Sequence, residues 1–504
     1  MGAVKALLFD SSVLITEHSD GTVLFQSGAE ALLWRLAYSK LHLGVSYGKS
    51  VSAQKVSFLN KIALSFSLKC FMHKKCSTDT SVNDISQAWG ETGESCLYVA
   101  SSKDDELYRS LSNNGWLIVL KSADDVIESE MENLRLLYIG KLEELPFIIC
   151  RFNRNVSQGR GDEILSIGYV MKPSREKDFA ERGAFPMYPT QNGLIFVPLA
   201  LDLPLAFQMQ EVNAVIHKAT DEIASVKLST SSEHSIKVTF SKGMEELERY
   251  FQGHPGCCII DPLNNVYPLL DRLRIQQILL RLEDLNIVGR CRIRGPHFLK
   301  IDDFKVPNLT KSLSEAKLSL PCIVKPQVAC GVADAHSMGI VFQAEDFKDL
   351  QVPLPAIAQE YVDHSSLLFK FYVLGDRIFH AVKKSTPNAD FFLSSCMEDG
   401  PKPIIFDSLK SLPTAKDQQP GGQVESNVHN LDLELVTKAA NWLRQSLALT
   451  IVGFDVVIQE GSWDHVIVDV NYLPSFKEVP DDIAVPAFWE AIKTSCKSRL
   501  AHGG

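Results

Sequence analysis

Asp455, Asp469 and Asn471 are the residues whose type and spacing best fit chemistry. They lie in two apolar runs, Ile451–Ile458 and Val466–Asn471, on either side of Glu460-Gly461-Ser462-Trp463. Such a pattern predicts an antiparallel hairpin. A turn centred on Ser462 pairs Ile458 with Val466, Val456 with Val468, and Asp455 with Asp469. Opposed residues hold their Cβ atoms about 4.5–5.5 Å apart, and Asn471, two residues beyond Asp469, shares its face. Two carboxylates on one face repel unless a cation lies between them. Asp, Asp and Asn offer only oxygen toward a divalent ion, the set that suits Mg²⁺. Mg²⁺ held by carboxylates usually carries nucleotide phosphates; the alternative is a solvated edge hairpin.

Lysines at strand ends supply the opposite charge. Lys325 follows the buried run Cys322-Ile323-Val324, and Lys370 sits at the base of a second hairpin, Phe369–Leu374 and Arg377–Val382, turning at Gly375-Asp376. A lysine in either place snorkels to solvent or neutralises a phosphate. Between them, residues 328–339 form a small-residue loop holding His336, which could cover phosphates with backbone N–H groups. Gln359-Glu360-Tyr361-Val362 could offer backbone donors and acceptors to an adenine ring, or could simply connect subdomains. Arg290, Arg292, Arg294 and Lys300 make a local basic cluster, with Arg175, Lys218, Lys383 and Lys384 further candidates; solvation explains any one of them alone.

Two other signals are weaker. Gly44-Val45-Ser46-Tyr47-Gly48-Lys49-Ser50 resembles a phosphate loop but has three residues between its glycines instead of four, so it reads as an ordinary turn. Asp10 ends the strand Ala6–Phe9 and resembles the nucleophile that opens a haloacid-dehalogenase-like fold. That family carries a second Asp, the general acid, two residues later, where this chain has Ser12. A carboxylate nucleophile without its acid partner is crippled, which implies a degenerate, non-catalytic domain.

The elements around these residues belong to an acidic chain of 504 residues. Lys plus Arg total 51 against 61 Asp plus Glu, a net charge of −10. A polyanionic ligand must therefore find a local basic pocket, and neither nucleic acid nor membrane is expected as a partner. The composition, 45% hydrophobic and 22% charged, is that of a globular protein and excludes disorder, collagen and coiled coil. No apolar run reaches the ~18 residues of a membrane span. The start lacks a signal-peptide pattern, and Ala6 stands where myristoylation wants Ser or Thr. The 11 cysteines form no CxxC pair, so a reduced, cytoplasmic protein is expected. Alternating strands and helices predict an α/β domain over residues 1–150. A polar linker is expected over 151–163 and a second α/β domain over 164–268, with strands at Ile164–Val170, Leu194–Leu199 and Asn213–His217. Residues 269–500 open on an amphipathic helix, Leu269–Leu285, and continue mainly in strands, with a mobile loop at 400–428.

The order of these features resembles the ATP-grasp architecture. In detail it resembles the inositol-tetrakisphosphate 1-kinase family, also called inositol 1,3,4-trisphosphate 5/6-kinases, over roughly residues 164–490. The most specific segments are Ile216-His217-Lys218-Ala219-Thr220-Asp221, Gly453-Phe454-Asp455 and Asp469-Val470-Asn471-Tyr472-Leu473-Pro474. The dehalogenase-like extension resembles a longer plant branch of that family. The resemblance implies an α/β protein with an ATP-grasp fold, preceded by a small α/β domain and the degenerate Rossmannoid domain. It implies Mg²⁺ on Asp455, Asp469 and Asn471, and ATP phosphates on Lys325. Nucleotide contacts would come from Arg272, from the hinge Gln359, Glu360, Tyr361 and Val362 through to Lys370, and from Ser385. Inositol phosphate contacts would come from Lys218, His336, Lys370 and Asn471, and from Arg175, which falls where the family usually has Lys. Cys330, where His or Asp is usual, and Ser475, where Gly is usual, also depart from the pattern. The implied activity is ATP-dependent phosphorylation of an inositol tris- or tetrakisphosphate by a monomeric enzyme. Lys325, Lys370 and Asp469 would be its catalytic groups, and transfer would be reversible to ADP. An ATP-grasp carboxylate–amine ligase and a non-catalytic inositol phosphate receptor are the alternatives.

Overall fold

The computed structural model describes residues 3–73, 85, 87–101, 105–122, 136–158, 163–228, 236–286, 291–394, 401–410, 413 and 430–502. The chain divides into two compact units, residues 1–216 and 217–504. Most of the expected loop at 400–428, and Arg290, lie outside the described residues.

The first unit opens with a six-stranded parallel sheet. Its strands are β1 (Ala6–Asp10), β2 (His42–Gly48), β3 (Lys69–His73), β4 (Cys96–Ala100), β5 (Leu117–Lys121) and β6 (Leu136–Ile139), in the order β3-β2-β1-β4-β5-β6. Helix α1 (Ala29–Ala37) buries Leu32, Leu33 and Leu36 on one side, together with Leu7, Phe9 and Val45. Near-continuous apolar strands such as Cys96–Ala100, buried at all five positions, are what a sheet covered on both faces requires. Gly44–Gly48 is part of β2, so the false phosphate loop is mostly strand rather than turn. Gly44 is needed there because a Cβ would lie 2.7 Å from Trp89.

Part of the expected linker over 151–163 is helix, and its residues 159–162 lie outside the described residues. Residues 151–158 continue helix α2 (Leu145–Gln158). Ile148, Ile149 and Phe152 pack into the core beneath the first sheet. Phe147 meets Phe207 edge-on at 5.6 Å, and Arg151 and Arg154 both reach the buried Glu211 carboxylate. Asn153, fully buried, accepts from Val4 N at 2.6 Å and donates to Met187 O at 2.8 Å. The stretch looks polar because Arg151 and Arg154 reach out to Glu211 while Asn153 is buried and paired. Beyond it lie β7 (Leu165–Val170), α3 (Pro173–Glu181), β8 (Leu194–Pro198) and β9 (Ala214–His217), with the strands in the order β8-β7-β9.

The second unit contains two five-stranded, mainly antiparallel sheets. One holds β10 (Phe298–Ile301), β11 (Cys322–Pro326), β12 (Ser337–Val341), β13 (Ala356–Glu360) and a strand at Ile404–Asp407, ordered β10-β13-β11-β12 and then that strand. The other holds β14 (Leu367–Leu374), β15 (Arg377–Lys384), β16 (Ile451–Ile458) and β17 (His465–Tyr472), ordered β17-β16-β14-β15. The short pair Ile293–Arg294 runs parallel to the outer side of β17. The expected helix over Leu269–Leu285 is broken. Asp271 ends a 3₁₀ turn and caps α4 (Arg272–Leu279) by accepting from Leu273 N at 2.9 Å, and a second 3₁₀ turn follows. Helical spacing persists through both 3₁₀ turns, so periodicity alone does not reveal the break.

Candidate active site

A cleft of about 420 Å³ lies between the two antiparallel sheets of the second unit. Eleven of the site residues implied by the resemblance line it: Lys325, His336, Gln359, Glu360, Tyr361, Val362, Lys370, Ser385, Asp455, Asp469 and Asn471. Apolar side chains complete its wall, among them Ile323, Met338, Leu368, Val457 and Val468.

The acidic side is built by register. Asp455 opposes Asp469, as expected, but the neighbouring pairs are displaced: Ile458 faces His465, and Val456 faces Ile467. The ladder slips by one residue between these pairs and Asp455, leaving Val468 as the extra residue of a bulge in β17. Two consecutive residues, Val468 and Asp469, thereby both line the cleft, which strict alternation would forbid. The turn spans Gln459–Asp464, closed by Gln459 N donating to Asp464 O at 2.8 Å, with Gly461 and Trp463 at positive φ. Across the ladder from Asn471 stands Gly453, where a Cβ would lie 2.7 Å from Pro474 Cγ. Asn471 Nδ2 donates to Asp469 Oδ2 at 2.9 Å, and Lys370 Nζ lies 3.5 Å from Asp455 Oδ1. Burial pushes the Asp455 carboxyl up to about 6; Lys370 opposes that shift and the Asp469 charge adds to it.

Lys325 extends from β11 beneath this group. Its ammonium donates to Gln359 Oε1 at 3.0 Å and to the Val468 carbonyl at 3.4 Å. Burial drives its pKa down to about 8, partly countered by the Asp469 charge. A cation so poorly solvated gains from any anion that enters the cleft.

Several expected contacts are spent inside the fold. Glu360 is held by a two-pronged Arg294 (2.7 and 2.9 Å) and by His297 N. Burial pushes the Glu360 carboxyl up, but these donors hold it below the usual range. The Tyr361 hydroxyl donates to Pro387 O. Arg272, buried, gives its guanidinium to the carbonyls of Pro326 (2.7 Å) and Val328 (2.9 Å), so it braces the small-residue loop from below. Just before that loop the Gln327 amide donates to Pro355 O, and within it the Ala329 amide donates to Leu270 O, so neither is free to cradle a phosphate. Lys218, 9% exposed, donates to the Tyr472 carbonyl and sits 5.2 Å from the centre of that ring. His336 Nδ1 lies 3.3 Å from Ser408 Oγ. Arg175 is on α3 of the first unit.

Sequence reasoning passed over His364 and Thr386, which also line the cleft. It also passed over Glu478, which pairs with Lys383 and accepts from Tyr372. The dipeptide after Gln359–Val362 was the available signal for His364; nothing in the sequence marked Glu478. Lys383 and Lys384, noted only as surface candidates, also line the cleft.

Among the described residues, no three His, Cys, Asp and Glu side chains converge to hold a metal. Two carboxylates and an amide oxygen with a lysine nearby form an incomplete shell. That fits Mg²⁺, which keeps several waters or phosphate oxygens of its own. Within the first unit, Asp10 Oδ1 accepts from Ser12 N at 2.9 Å and from the Ser12 hydroxyl, which also contacts Ser101 Oγ at 2.6 Å. The hydroxyl occupies the place of the missing acid.

Residues 289–488 match the family described as the inositol 1,3,4-trisphosphate 5/6-kinase ATP-grasp domain, and residues 1–155 match the one described as the ITPK4 N-terminal HAD-like domain. The fold and the site together thus define an ATP-grasp phosphotransferase with a dehalogenase-like extension. The chain is 47% identical to inositol-tetrakisphosphate 1-kinase 6 of Oryza sativa subsp. indica, over 99% of this chain and 90% of that protein. It is 26% identical to inositol-tetrakisphosphate 1-kinase of Danio rerio, over 58% of this chain and 69% of that one. The chain belongs to the inositol-tetrakisphosphate 1-kinase family. Among the described residues, no helix is long and apolar enough to cross a membrane.

Proposed function

We propose that the protein is an ATP- and Mg²⁺-dependent inositol polyphosphate kinase that phosphorylates an inositol tris- or tetrakisphosphate. The observation that carries this reading is the bulged pairing of Asp455 with Asp469, beside Asn471 and facing Lys325 and Lys370. When bound by Asp455, Asp469 and Asn471, Mg²⁺ supplies neutralising charge to the terminal phosphates of ATP. The chain's own groups do the rest. Lys325, poorly solvated, pairs with a transferring phosphate, and Lys370, now against Asp455, turns to the same charge. The apolar wall of Ile323, Met338, Leu368 and Val457 takes the adenine, with the Gln359–Val362 backbone at its edge. Lys218 and His336, with Lys370 and Asn471, hold the polyphosphate acceptor. Transfer of this kind depends on positioning and electrostatics, so a strong general base is dispensable. Lys325, Lys370 and Asp469 are the catalytic groups of this reading, Ser385 a further nucleotide contact, and the cytoplasm its setting.

The test incubates the protein with Mg-ATP and a panel of inositol tris-, tetrakis- and pentakisphosphates, resolves products by anion exchange, and runs Asp469→Ala alongside. A more phosphorylated or isomerised product from the wild type alone supports the reading. ATP binding without any new product from any isomer sinks it.

A further inference from the structure

Arg294 belongs to the basic cluster that solvation alone would explain, yet its side chain is only 13% exposed. Its guanidinium meets Glu360, the last residue of β13, with Nη1 donating to Oε2 at 2.7 Å and Nη2 to Oε1 at 2.9 Å. Nη2 also donates at 2.8 Å to Gln459 Oε1, in the turn that joins β16 to β17. At the far end of that turn, Asp464 Oδ2 lies 3.9 Å from Arg294 Nε. One cation thus takes acceptors from both sheets that form the cleft. Its backbone is anchored separately: Arg292 N donates to Asp464 Oδ1 at 3.0 Å, and His465 N donates to Arg292 O at 2.7 Å. Glu360 is anchored too, since its amide donates to His297 O and its carboxylate accepts from His297 N, both at 2.9 Å. A forked guanidinium on a poorly solvated carboxylate fixes direction as well as distance.

We propose that Arg294 positions the nucleotide: by tying Glu360 to the β16–β17 turn, it sets how far the hinge Gln359–Val362 stands from the hairpin carrying Asp455, Asp469 and Asn471. The inference rests on the nucleotide half of the kinase reading, in which the adenine lies at the hinge and the terminal phosphates at the hairpin. Arg294 is not part of the cleft wall and touches no reacting atom, so it is a positioning residue. Adenine and terminal phosphates are opposite ends of one ligand. Hinge and hairpin must therefore keep a fixed separation for both ends to be met at once. Without the cation, the Glu360 and Asp464 carboxylates, 14% and 19% exposed, are left near each other with little water to screen them. Their repulsion would widen the slot. A lysine restores the charge but not the fork, because a single ammonium cannot hold both Glu360 oxygens and Gln459 in one plane. The acceptor contacts Lys218 and His336 do not run through this tie.

The test compares Arg294→Lys, Arg294→Met, Glu360→Gln and the double variant Arg294→Met with Glu360→Gln, all in the full-length chain. Steady-state kinetics vary ATP and the inositol phosphate separately, and calorimetric titration with Mg-ADP gives the nucleotide affinity directly. Arg294→Lys remains informative if Arg294→Met does not fold. The expected result is a rise in the ATP KM and the ADP Kd of about tenfold for Arg294→Met and about threefold for Arg294→Lys, with kcat and the inositol phosphate KM within about twofold. The double variant should bind ADP no more weakly than Arg294→Met alone, because it removes the stranded Glu360 charge as well. Wild-type ADP affinity in folded Arg294→Lys overturns the proposal. So does an equal rise in both KM values, or a double variant whose losses simply add. The ADP titration needs no acceptor. A wild type that phosphorylates no inositol phosphate therefore sinks the kinase reading, while the positioning role of Arg294 stands or falls on the titration.

Discussion

Lys325 shows what burial does to a single group. Its ammonium is satisfied by one amide oxygen and one carbonyl, with its pKa lowered to about 8. It is therefore held in reserve for an anion. Lys325→Met should lower kcat by about 10²–10³-fold, as loss of one preorganised charge donor does elsewhere, in the product assay with Asp469→Ala as reference. His217 gives a prediction of the opposite kind. It is fully buried, with Nε2 2.7 Å from the Asp261 carbonyl, and burial pulls its pKa from 6.5 to about 4. The unfolded chain takes up a proton near pH 6.5, whereas the folded chain resists until about pH 4. The folded state is therefore fully favoured above pH 6.5 and loses about 3 kcal/mol as the pH falls through that window. Urea titrations between pH 7 and pH 4 should show the decline, and His217→Gln should flatten it.

At the scale of elements, the cleft depends on an irregularity. Without the bulge at Val468, Asp455 would face Val468. The sequence reading reached the Asp455–Asp469 pair through a register one residue too far along β17, and the extra residue cancelled the offset. No Gly or Pro marks the bulge, so its position was not legible. The parallel strands were, because a strand buried on both faces is written as an unbroken apolar run. The break at Asp271 and the helix across 151–158 were missed because one keeps helical spacing and the other hides paired polar groups. Arg272, Glu360 and Tyr361 were expected as nucleotide contacts, but their side chains are engaged within the fold through tertiary contacts that spacing does not encode. Gly453 is the element's narrowest point. Gly453→Ala should push Pro474 aside, cost about 1–3 kcal/mol in stability and lower turnover by displacing Asn471. Thermal melts and kinetics on the same sample would separate the two effects, and a melt unchanged within error would refute the steric argument.

For the molecule as a whole, the question is whether the dehalogenase-like part is separable. Removing residues 1–163 strips Arg35 from Glu176, and Arg151 and Arg154 from Glu211. The cut also bares Met187 and Tyr188, which pack into the core of the first sheet, and lost apolar burial counts directly against the roughly 5–15 kcal/mol that holds a domain together. The fragment 164–504 should accordingly be insoluble or melt well below the full chain. Asp10→Asn, which alters only the degenerate site around Ser12, should leave inositol phosphate turnover unchanged. A soluble, active fragment would show that the N-terminal part is an appendage.

The two-sided helix α2 also bears on how such a protein could have been assembled, or could be reassembled by gene shuffling. A crossover anywhere in 145–158 would divide one helix between two parents. Only half of its side chains would then match either neighbouring sheet, and Asn153 would need both Val4 and Met187 from compatible stock. Chimeras should survive when the joint falls before Leu145 and the recipient's first sheet already carries a complementary groove. Joints placed in the polar stretch at 151–158, where the sequence invites the cut, should be the ones that fail.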